Sequence, residues 1–425
     1  MNIFLLAATL ALAALPGHSH ARLAGFVKVN GTRFEVDGKR YAFVGTNFWY
    51  GMNLGVEGRL GDRPRLLREL DRLKALGVTN LRVLAGSEGP DSEPWRIVPS
   101  LQQGPRVYSA ALLRGLDFLI SEMGKRGMRA VVCLNNFWPW SGGMAQYVAW
   151  HGGGSIPYPP PAANGSWSTY QEYTQRFYSN EAAMRDARVH ARAIVTRFAN
   201  EPTIMAWELA NEPRGVKNVE AFNAWLDGMA AYIKSLDPNH LVTTGSEGET
   251  PSPAGAGMDF VRNHSSKHVD YATAHIWAQN WEWYDPADSQ KTYATAVQKM
   301  KAYLHDHAEK ARQLGKPLVI EEFGIGRDGG SFDANAPTTV RDRYYAEVFG
   351  EVLAVARAPG SAVSGVNFWA WAGEARPRKP GAIWKRGMPF IGDPPHEQQG
   401  WYSVYAHDFS TTKVIAEFAE RMSRL

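Results

Sequence analysis

Short apolar runs alternate with longer amphipathic segments along most of the chain. YAFVGTNFW (41–49) is followed by PRLLRELDRLKALG (64–77), and VTNLRVLAG (78–86) by AALLRGLDFLISEMGKRG (110–127). MRAVVCLNN (128–136) is followed by a helical pattern near 181–199, and TIMAWELANE (203–212) by VEAFNAWLDGMAAYIKSL (219–236). HLVTTGSEG (240–248), DYATAHIW (270–277), KPLVIEEFG (316–324) and SGVNFWAWAG (364–373) continue the series, with later helices near 290–313, 339–358 and 411–424. Unbroken apolar runs are what parallel strands show when both faces are buried. Eight such β–α alternations predict an α/β protein with a (β/α)8 TIM barrel. A doubly wound open sheet is the rival, but its dinucleotide fingerprint should follow the first strand and open a helix. The Gly-x-Gly-x-x-Gly here, Gly324 to Gly329, follows the seventh run and no helix starts there, so it reads as a loop. Ahead of the first strand, alternation around Asn30-Gly31 and Asp37-Gly38 predicts a small β-hairpin or meander.

Three long irregular segments lie C-terminal to predicted strands: 136–167, 246–260 and 372–403. Loops of this length are usually functional or disordered, and loops at strand C-termini build barrel active sites. The first and third carry several Trp residues, which disordered segments avoid.

Composition narrows the classes. Hydrophobic content of 44% and charged content of 21% over 425 residues are globular values that fit one large domain, residues 22–425. The formal charge of +4 is mild and no Lys/Arg block marks a nucleic-acid arm. RPRLLRELDRLK (63–74) places its charges at helical spacing and reads as a solvated helix face. Ile3 to Leu15 is a continuous apolar segment too short to span a bilayer. Followed by Ser19-His20-Ala21, it predicts a signal peptide over 1–21, a secreted or periplasmic protein, and no membrane anchor after cleavage. The lone cysteine, Cys133, lies in an apolar run and reads as a core residue. A monomer is expected.

Polar residues cluster where the predicted strands stop: Arg82 in NLRVLAG, Asn135 and Asn136, Asn211 and Glu212, His275, Glu321 and Glu322, then Trp369 and Trp371. In a barrel these ends share one rim, so carboxylates at the ends of strands four and seven face each other across the mouth. Opposed carboxyls suit glycoside hydrolysis: an anion stabilises an oxocarbenium-like transition state, and a protonated partner serves the leaving oxygen. Glu208 shares a face with Glu212 but lies deeper, and both it and Glu321 read as structural salt-bridge partners. Period-two alternation sends Glu321 and Glu322 to opposite faces, so only one enters the mouth. His264-x-x-x-His268 offers metal spacing but no third ligand, so no metal and no cofactor are expected. Fifteen Trp, 17 Tyr and 18 Phe are many. Trp207 and Trp225 suit the core, whereas Trp138, Trp140, Trp150, Trp281 and Trp283 lie in loops, where aromatic faces suit the C–H faces of sugars.

Asn211-Glu212-Pro213 after an apolar strand, with Glu322-Phe323-Gly324 about 110 residues later, resembles glycoside hydrolase family 5. Asn135-Asn136, His275-Ile276-Trp277 with the following AQNWEWYDP, and Phe368-Trp369 are similar to its endo-β-1,4-mannanases. The resemblance implies a retaining double displacement on mannan, glucomannan or galactomannan, with Glu212 as acid/base and Glu322 as nucleophile. It implies that Asn211 bonds a sugar 2-hydroxyl, Arg82 holds Glu322 ionised, His275 orients the carboxyls and Trp369 floors the reacting subsite. Trp49, Trp138, Asn136 and Trp277 are further candidates for substrate contact. Many members of the family carry His-x-Tyr where this chain has Trp277, and an indole donates a hydrogen bond but neither accepts one nor ionises. Alternatives are an endo-β-1,4-glucanase, an exo-acting β-mannosidase or mannobiohydrolase with its cleft walled off by the long loops, a polysaccharide-binding barrel lacking catalysis, and a metal-dependent hydrolase.

Overall fold

The computed structural model describes Leu23, residues 25–249 and residues 256–425; the expected signal segment lies outside the described residues. Eight parallel strands form the barrel: β1 (Phe43–Asn47), β2 (Asn80–Leu84), β3 (Arg129–Cys133), β4 (Ile204–Glu208), β5 (Leu241–Thr243), β6 (Ala272–Ile276), β7 (Leu318–Phe323) and β8 (Val363–Phe368). Every residue in them is buried, which is why their sequences are unbroken apolar runs. Hydrogen-bonded neighbours run 5-4-3-2-1-8-7-6. Backbone bonds from Asp270 N–H to the Val242 carbonyl (2.8 Å) and from His275 N–H to the Glu247 carbonyl (3.0 Å) join β5 to β6 and close the ring.

The outer layer is α1 (Arg63–Ala75), α2 (Ala110–Lys125), α3 (Glu181–Phe198), α4 (Val219–Leu236), α5 (Ser289–Gln313), α6 (Thr339–Arg357) and α7 (Phe409–Met422). Side-chain caps start several of them: Asp62, Ser109 and Asn180 each accept a backbone N–H from the first turn. Among the described residues, β5 and β6 are bridged only by the short helix Phe260–His264. The expected solvated face of α1 is half wrong. Arg65 and Glu69 are buried and paired at 3.3 Å, and Glu69 accepts the Trp371 indole N–H (3.0 Å) and the Glu374 backbone N–H (2.8 Å). A pair of charges on a helix can face a neighbouring loop as readily as solvent, and this one ties the segment after β8 to α1.

The N-terminal residues form a three-stranded antiparallel meander (Lys28–Asn30, Arg33–Val36, Lys39–Tyr41) beneath the barrel. Phe34 meets Tyr271 edge to face at 5.2 Å, and with Phe43, Val131, Met205 and Val319 it seals the N-terminal end with apolar side chains. The C-terminal end is therefore the open one. Above it, the loop after β3 is more ordered than its composition implies, with helices Gly143–Val148 and Trp167–Thr174. Buried Glu88 pins that loop: its carboxylate accepts Gly143 N–H (2.9 Å) and its backbone N–H donates to Ser141 (2.7 Å). Residues Trp371–Gly373 and Val404–Tyr405 pair at the two ends of the segment after β8. Within that segment the Asp393 carboxylate accepts N–H groups from Gly400 (2.7 Å) and Tyr402 (2.6 Å).

One irregularity shapes the mouth. Along β6 and β7, Ala274 pairs with Ile320 but His275 pairs with Glu322, so Glu321 is skipped. A bulge of this kind puts two residues opposite one and breaks the alternation of faces. Glu321 and Glu322 accordingly both approach Arg82, with Glu321 at 3.8 Å from the Arg82 Nε. The expected opposite facing of the two is corrected, whereas only Glu322 lines the cleft at the mouth, as expected.

Candidate active site

Arg82, on β2, is the hub. Its guanidinium forks onto Glu208 at 2.7 and 2.6 Å, donates to Asn47 (3.0 Å) and to Asn211 Oδ1 (2.8 Å), and bonds the Glu322 carboxylate. The planar five-donor fork suits Arg to several acceptors at once. Burial works against the Arg82 charge, but Glu208, Glu322 and Glu321 outweigh it and drive its pKa well above the ordinary value. Glu208 thus has the salt-bridging place its depth on β4 predicts. Asn47, at the end of β1, was not singled out from the sequence; it holds Arg82 with its oxygen and the Glu321 carbonyl with its amide (2.8 Å).

Past the end of β4 the chain turns sharply. Asn136 and Asn211 form a parallel bridge, and Glu212 takes a φ of +47° with its N–H on the Gly245 carbonyl (2.9 Å). That left-handed conformation costs a non-glycine residue on the order of 1–3 kcal/mol. It ends the strand and leaves the Glu212 carboxylate at the mouth, between Trp138 Nε1 (2.5 Å) and His275 Nδ1 (2.7 Å). Burial pushes the Glu212 carboxyl up; the bonds from His275 and Trp138 and the charges of His275 and Arg214 outweigh it and hold it down at about 2 for as long as the His275 ring is charged.

His275, on β6, lies among three carboxylates. Nδ1 is 2.7 Å from Glu212 and 3.3 Å from Glu322, and Nε2 is 3.9 Å from Glu321. Burial opposes its charge, but these neighbours raise its pKa well above that of free imidazole. One acceptor oxygen from each of Glu212 and Glu322 and a His275 nitrogen lie within 4.8 Å of one another. Three such ligands invite the metal question. The proton held on Nδ1, the Arg82 bond to Glu322 and the Trp138 bond to Glu212 occupy the positions a cation would need. The His264–His268 pair is no better: the His264 Nε2 lone pair takes the Thr244 hydroxyl (2.9 Å), Nδ1 donates to the Phe260 carbonyl (2.8 Å), and burial depresses the ring to about 3.

Two carboxyls at the ends of β4 and β7, one bonded by an arginine and the other by a histidine, form the arrangement of a glycosidase, and the whole-chain comparisons fit that class. A model of the family-5 β-mannosidase-like glycoside hydrolases matches residues 24–425. The chain belongs to glycoside hydrolase family 5. It is 31% identical over 393 residues to a tomato (Solanum lycopersicum) mannan endo-1,4-beta-mannosidase 5, covering 86% of each chain. It is 37% identical to a family-5 mannosidase of Rhizomucor miehei whose crystal structure superposes with a TM-score of 0.86, covering 94% of this chain and 98% of that one. The endo-1,4-beta-mannanase of the same fungus shares the fold with a TM-score of 0.68 at 24% identity, covering 94% of this chain and 100% of that one.

In this family-5 barrel, the cleft over the carboxyl pair has a volume of about 720 Å³. Glu212, Glu322, Asn211, Trp138, Trp277 and Trp369 all line it. Trp277 packs between Trp369 (5.9 Å) and Tyr402 (5.0 Å) as part of an aromatic wall, and Glu322 is held by Arg82 and His275. Two candidates for substrate contact are placed elsewhere. Trp49 is buried behind Trp140, 5.7 Å away, with its indole N–H on the Gly392 carbonyl (2.8 Å). Asn136 is fully buried, and its Oδ1 accepts from Asn211 Nδ2 (3.1 Å) and from the Trp138 N–H (3.0 Å). Both steady residues that face the cleft. A strand-end polar residue shows its level on the barrel, but which neighbour intervenes is a packing outcome.

Several lining residues escaped the sequence reading. Arg214 stacks over Trp138 at 4.7 Å and forks onto Glu247 at 2.6 and 3.0 Å. Burial raises the Glu247 carboxyl to about 7, against the pull of Arg214 and with the push of Glu212. Arg214 belongs to the same Asn-Glu-Pro-Arg run as Glu212, and Glu247 stands at the end of the fifth apolar run; both signals were available. Trp167, His396 and Glu397 also line the cleft but come from long loops whose fold their composition does not predict.

Proposed function

We propose that this protein is a retaining hydrolase of β-1,4-mannosidic linkages, with Glu322 as nucleophile and Glu212 as acid/base. The observation that carries the reading is the spacing of the two carboxyls, whose oxygens come within 4.8 Å across the mouth. Retaining enzymes keep the pair about 5–5.5 Å apart, whereas inverting ones leave about 6.5–9.5 Å for a water. In the first step Glu322 forms a bond to the anomeric carbon from the face opposite the leaving oxygen. That oxygen departs with the electron pair of its bond and takes a proton from Glu212. In the second step water loses a proton to Glu212 and attacks the same carbon, and Glu322 leaves as carboxylate. Arg82 bonds the Glu322 carboxylate and orients it for the attack, and Asn211, fixed through its oxygen by Arg82, is placed for a hydroxyl beside the reacting carbon. The choice of mannan over glucan rests on the named relatives, a mannan endo-1,4-beta-mannosidase and a family-5 mannosidase. Proton NMR of the first product from mannohexaose tests the mechanism: the β-anomer should appear first, and initial α-anomer sinks it. Parallel digestion of cellohexaose tests the sugar preference.

One observation favours action from a chain end. Trp167, from the loop after β3, meets His396, from the loop after β8, edge to face at 5.8 Å. In the ring order 3-2-1-8 these loops flank β1 and β2, so the contact arches over that side of the mouth and walls one end of the cleft. Release of mannose and mannopentaose as the first products from mannohexaose supports this reading; mannobiose and mannotriose from the outset support internal cleavage. We further propose export, from the pattern of residues 1–21. Sequencing the N-terminus of protein recovered outside the cytoplasm should begin at Arg22, and an intact Met1 there overturns the proposal.

A further inference from the structure

The mechanism requires a proton on Glu212, whose carboxyl its surroundings hold down while they raise the His275 pKa above that of free imidazole. The proton must cross the 2.7 Å from Nδ1 to Oε1, and whatever makes His275 give it up controls the acid. The other ring nitrogen offers the lever. His275 Nε2 and Glu321 Oε2 are both buried, neither has a hydrogen-bond partner among the described residues, and they face each other at 3.9 Å. Buried polar atoms are rarely left unpaired, and such a pair is a site of charge control when it abuts reacting groups. The β7 bulge is what brings Glu321 there, one residue from the nucleophile and on the same side of the barrel.

We propose that Glu321 is a positioning residue that sets where the proton of the Glu212–His275 pair resides. The inference rests on Glu212 being the acid. With Glu321 neutral, the imidazolium loses one of its adjoining carboxylates, and its Nδ1 proton passes to Glu212, leaving a neutral ring that keeps Nε2–H toward Glu321. With Glu321 ionised, a third carboxylate secures the imidazolium, Glu212 stays a carboxylate, and the leaving oxygen finds no donor. No proton is created or lost in the transfer; deprotonation of Glu321 removes one from the cluster and locks the other on His275.

The surroundings keep Glu321 poised between these states. It faces Arg82 on β2, Glu208 on β4, and Tyr271 and His275 at β6, with the Tyr271 hydroxyl at 3.5 Å. His275 in turn faces Glu212, Glu322 and Glu321 and feels Glu247 beyond β5. Burial and Glu208 push the Glu321 carboxyl up to about 7, with His275 and Arg82 pulling the other way. Acid function is then lost as pH rises through that region.

Glu321→Gln, an uncharged isostere, tests this. In kcat/KM against pH on mannotriose, the alkaline limb should move up by about one pH unit or more, while the value near pH 5 stays within about threefold of wild type. An unmoved limb, or a uniform loss at every pH, overturns the proposal and leaves Glu321 a structural residue. If the variant does not fold, the wild-type enzyme with ¹⁵N-labelled histidine supplies the answer. His275 should gain imidazolium character as pH rises through the limb, because Glu321 is then ionising; a ring that only loses protons rules the proposal out. A 2,4-dinitrophenyl β-mannoside, whose leaving group needs no proton, separates the two layers of inference. Wild type should lose its alkaline limb there; a limb that persists refutes the acid role of Glu212 rather than the control by Glu321.

Discussion

Trp167 and His396 close an arch over one side of the cleft with a ring separation of 5.8 Å, though they are more than 200 residues apart in sequence. Each is held by its own scaffold: Trp167 packs edge to face on Trp138 at 5.5 Å, and His396 sits in the segment organised by Asp393. Trp167→Ala removes the arch without touching a carboxyl. We expect initial products from mannohexaose to shift from mannose toward mannobiose and mannotriose, and activity on polymeric mannan relative to mannobiose to rise severalfold. Chromatography of early time points reads both, and an unchanged product pattern removes the arch from the account of chain-end action.

Glu322→Ala should lose on the order of 10³-fold or more in kcat, the scale seen when a covalent nucleophile is removed. Azide should partly restore turnover and give the α-mannosyl azide. Glu212→Ala with azide should give the β-azide instead, since the covalent step on Glu322 survives. The anomer from each variant, read by NMR, assigns the two roles independently; the same anomer from both contradicts the assignment.

Arg82 carries the charge balance of Glu208 and Glu322 in a buried site. Glu208→Ala leaves the guanidinium with only part of its counter-charge, and removing one partner of a buried pair costs about 3–5 kcal/mol. Urea unfolding should show that loss. kcat should also fall, by about tenfold or more, because Arg82 is freed to turn away from Glu322. Full activity with the predicted instability would show that Asn47 and Asn211 alone hold Arg82 in place.

Stability should peak between about pH 6 and 7. On the acid side, burial depresses His190 and His307 to about 4 and His264 and His396 to about 3, so each binds fewer protons folded than unfolded. Their contribution is present above about 6.5 and is lost as pH falls toward 3–4. On the alkaline side, burial raises Glu247 and Glu321 to about 7 and Glu88 to about 8, so the folded state holds extra protons whose stabilisation is full below about 4.5 and lost as pH rises through 7–8. A Tm-against-pH curve should show both slopes. His307→Gln, at a ring that accepts the Glu249 N–H at 2.9 Å, should flatten the acid one, and an unchanged slope removes that histidine from the explanation.

The alternation of runs and helices predicted the barrel because it is a local property: a strand buried on both faces must be apolar throughout, and an outer helix must be amphipathic. The place of Glu212 and Glu322 on one rim follows from that topology, since every parallel strand ends at the same level. The chain order alone therefore brought Arg82, Asn211, Glu212, His275, Glu322 and Trp369 together.

What the sequence left open depends on contacts between distant segments. Whether Glu321 points inward hangs on a one-residue slip between β6 and β7, and no residue type in IEEFG announces it. The slip arises because β7 must pair with β6 on one side and β8 on the other, and its register also shifts against β8, between Leu318 and Val319. Trp49 and Trp140 are equally aromatic, and only packing places one in the cleft and the other behind it. The amino acids along each segment set its shape and the level of its end; the closing of the ring fixed which side chains meet there, because register and burial are properties of pairs of segments.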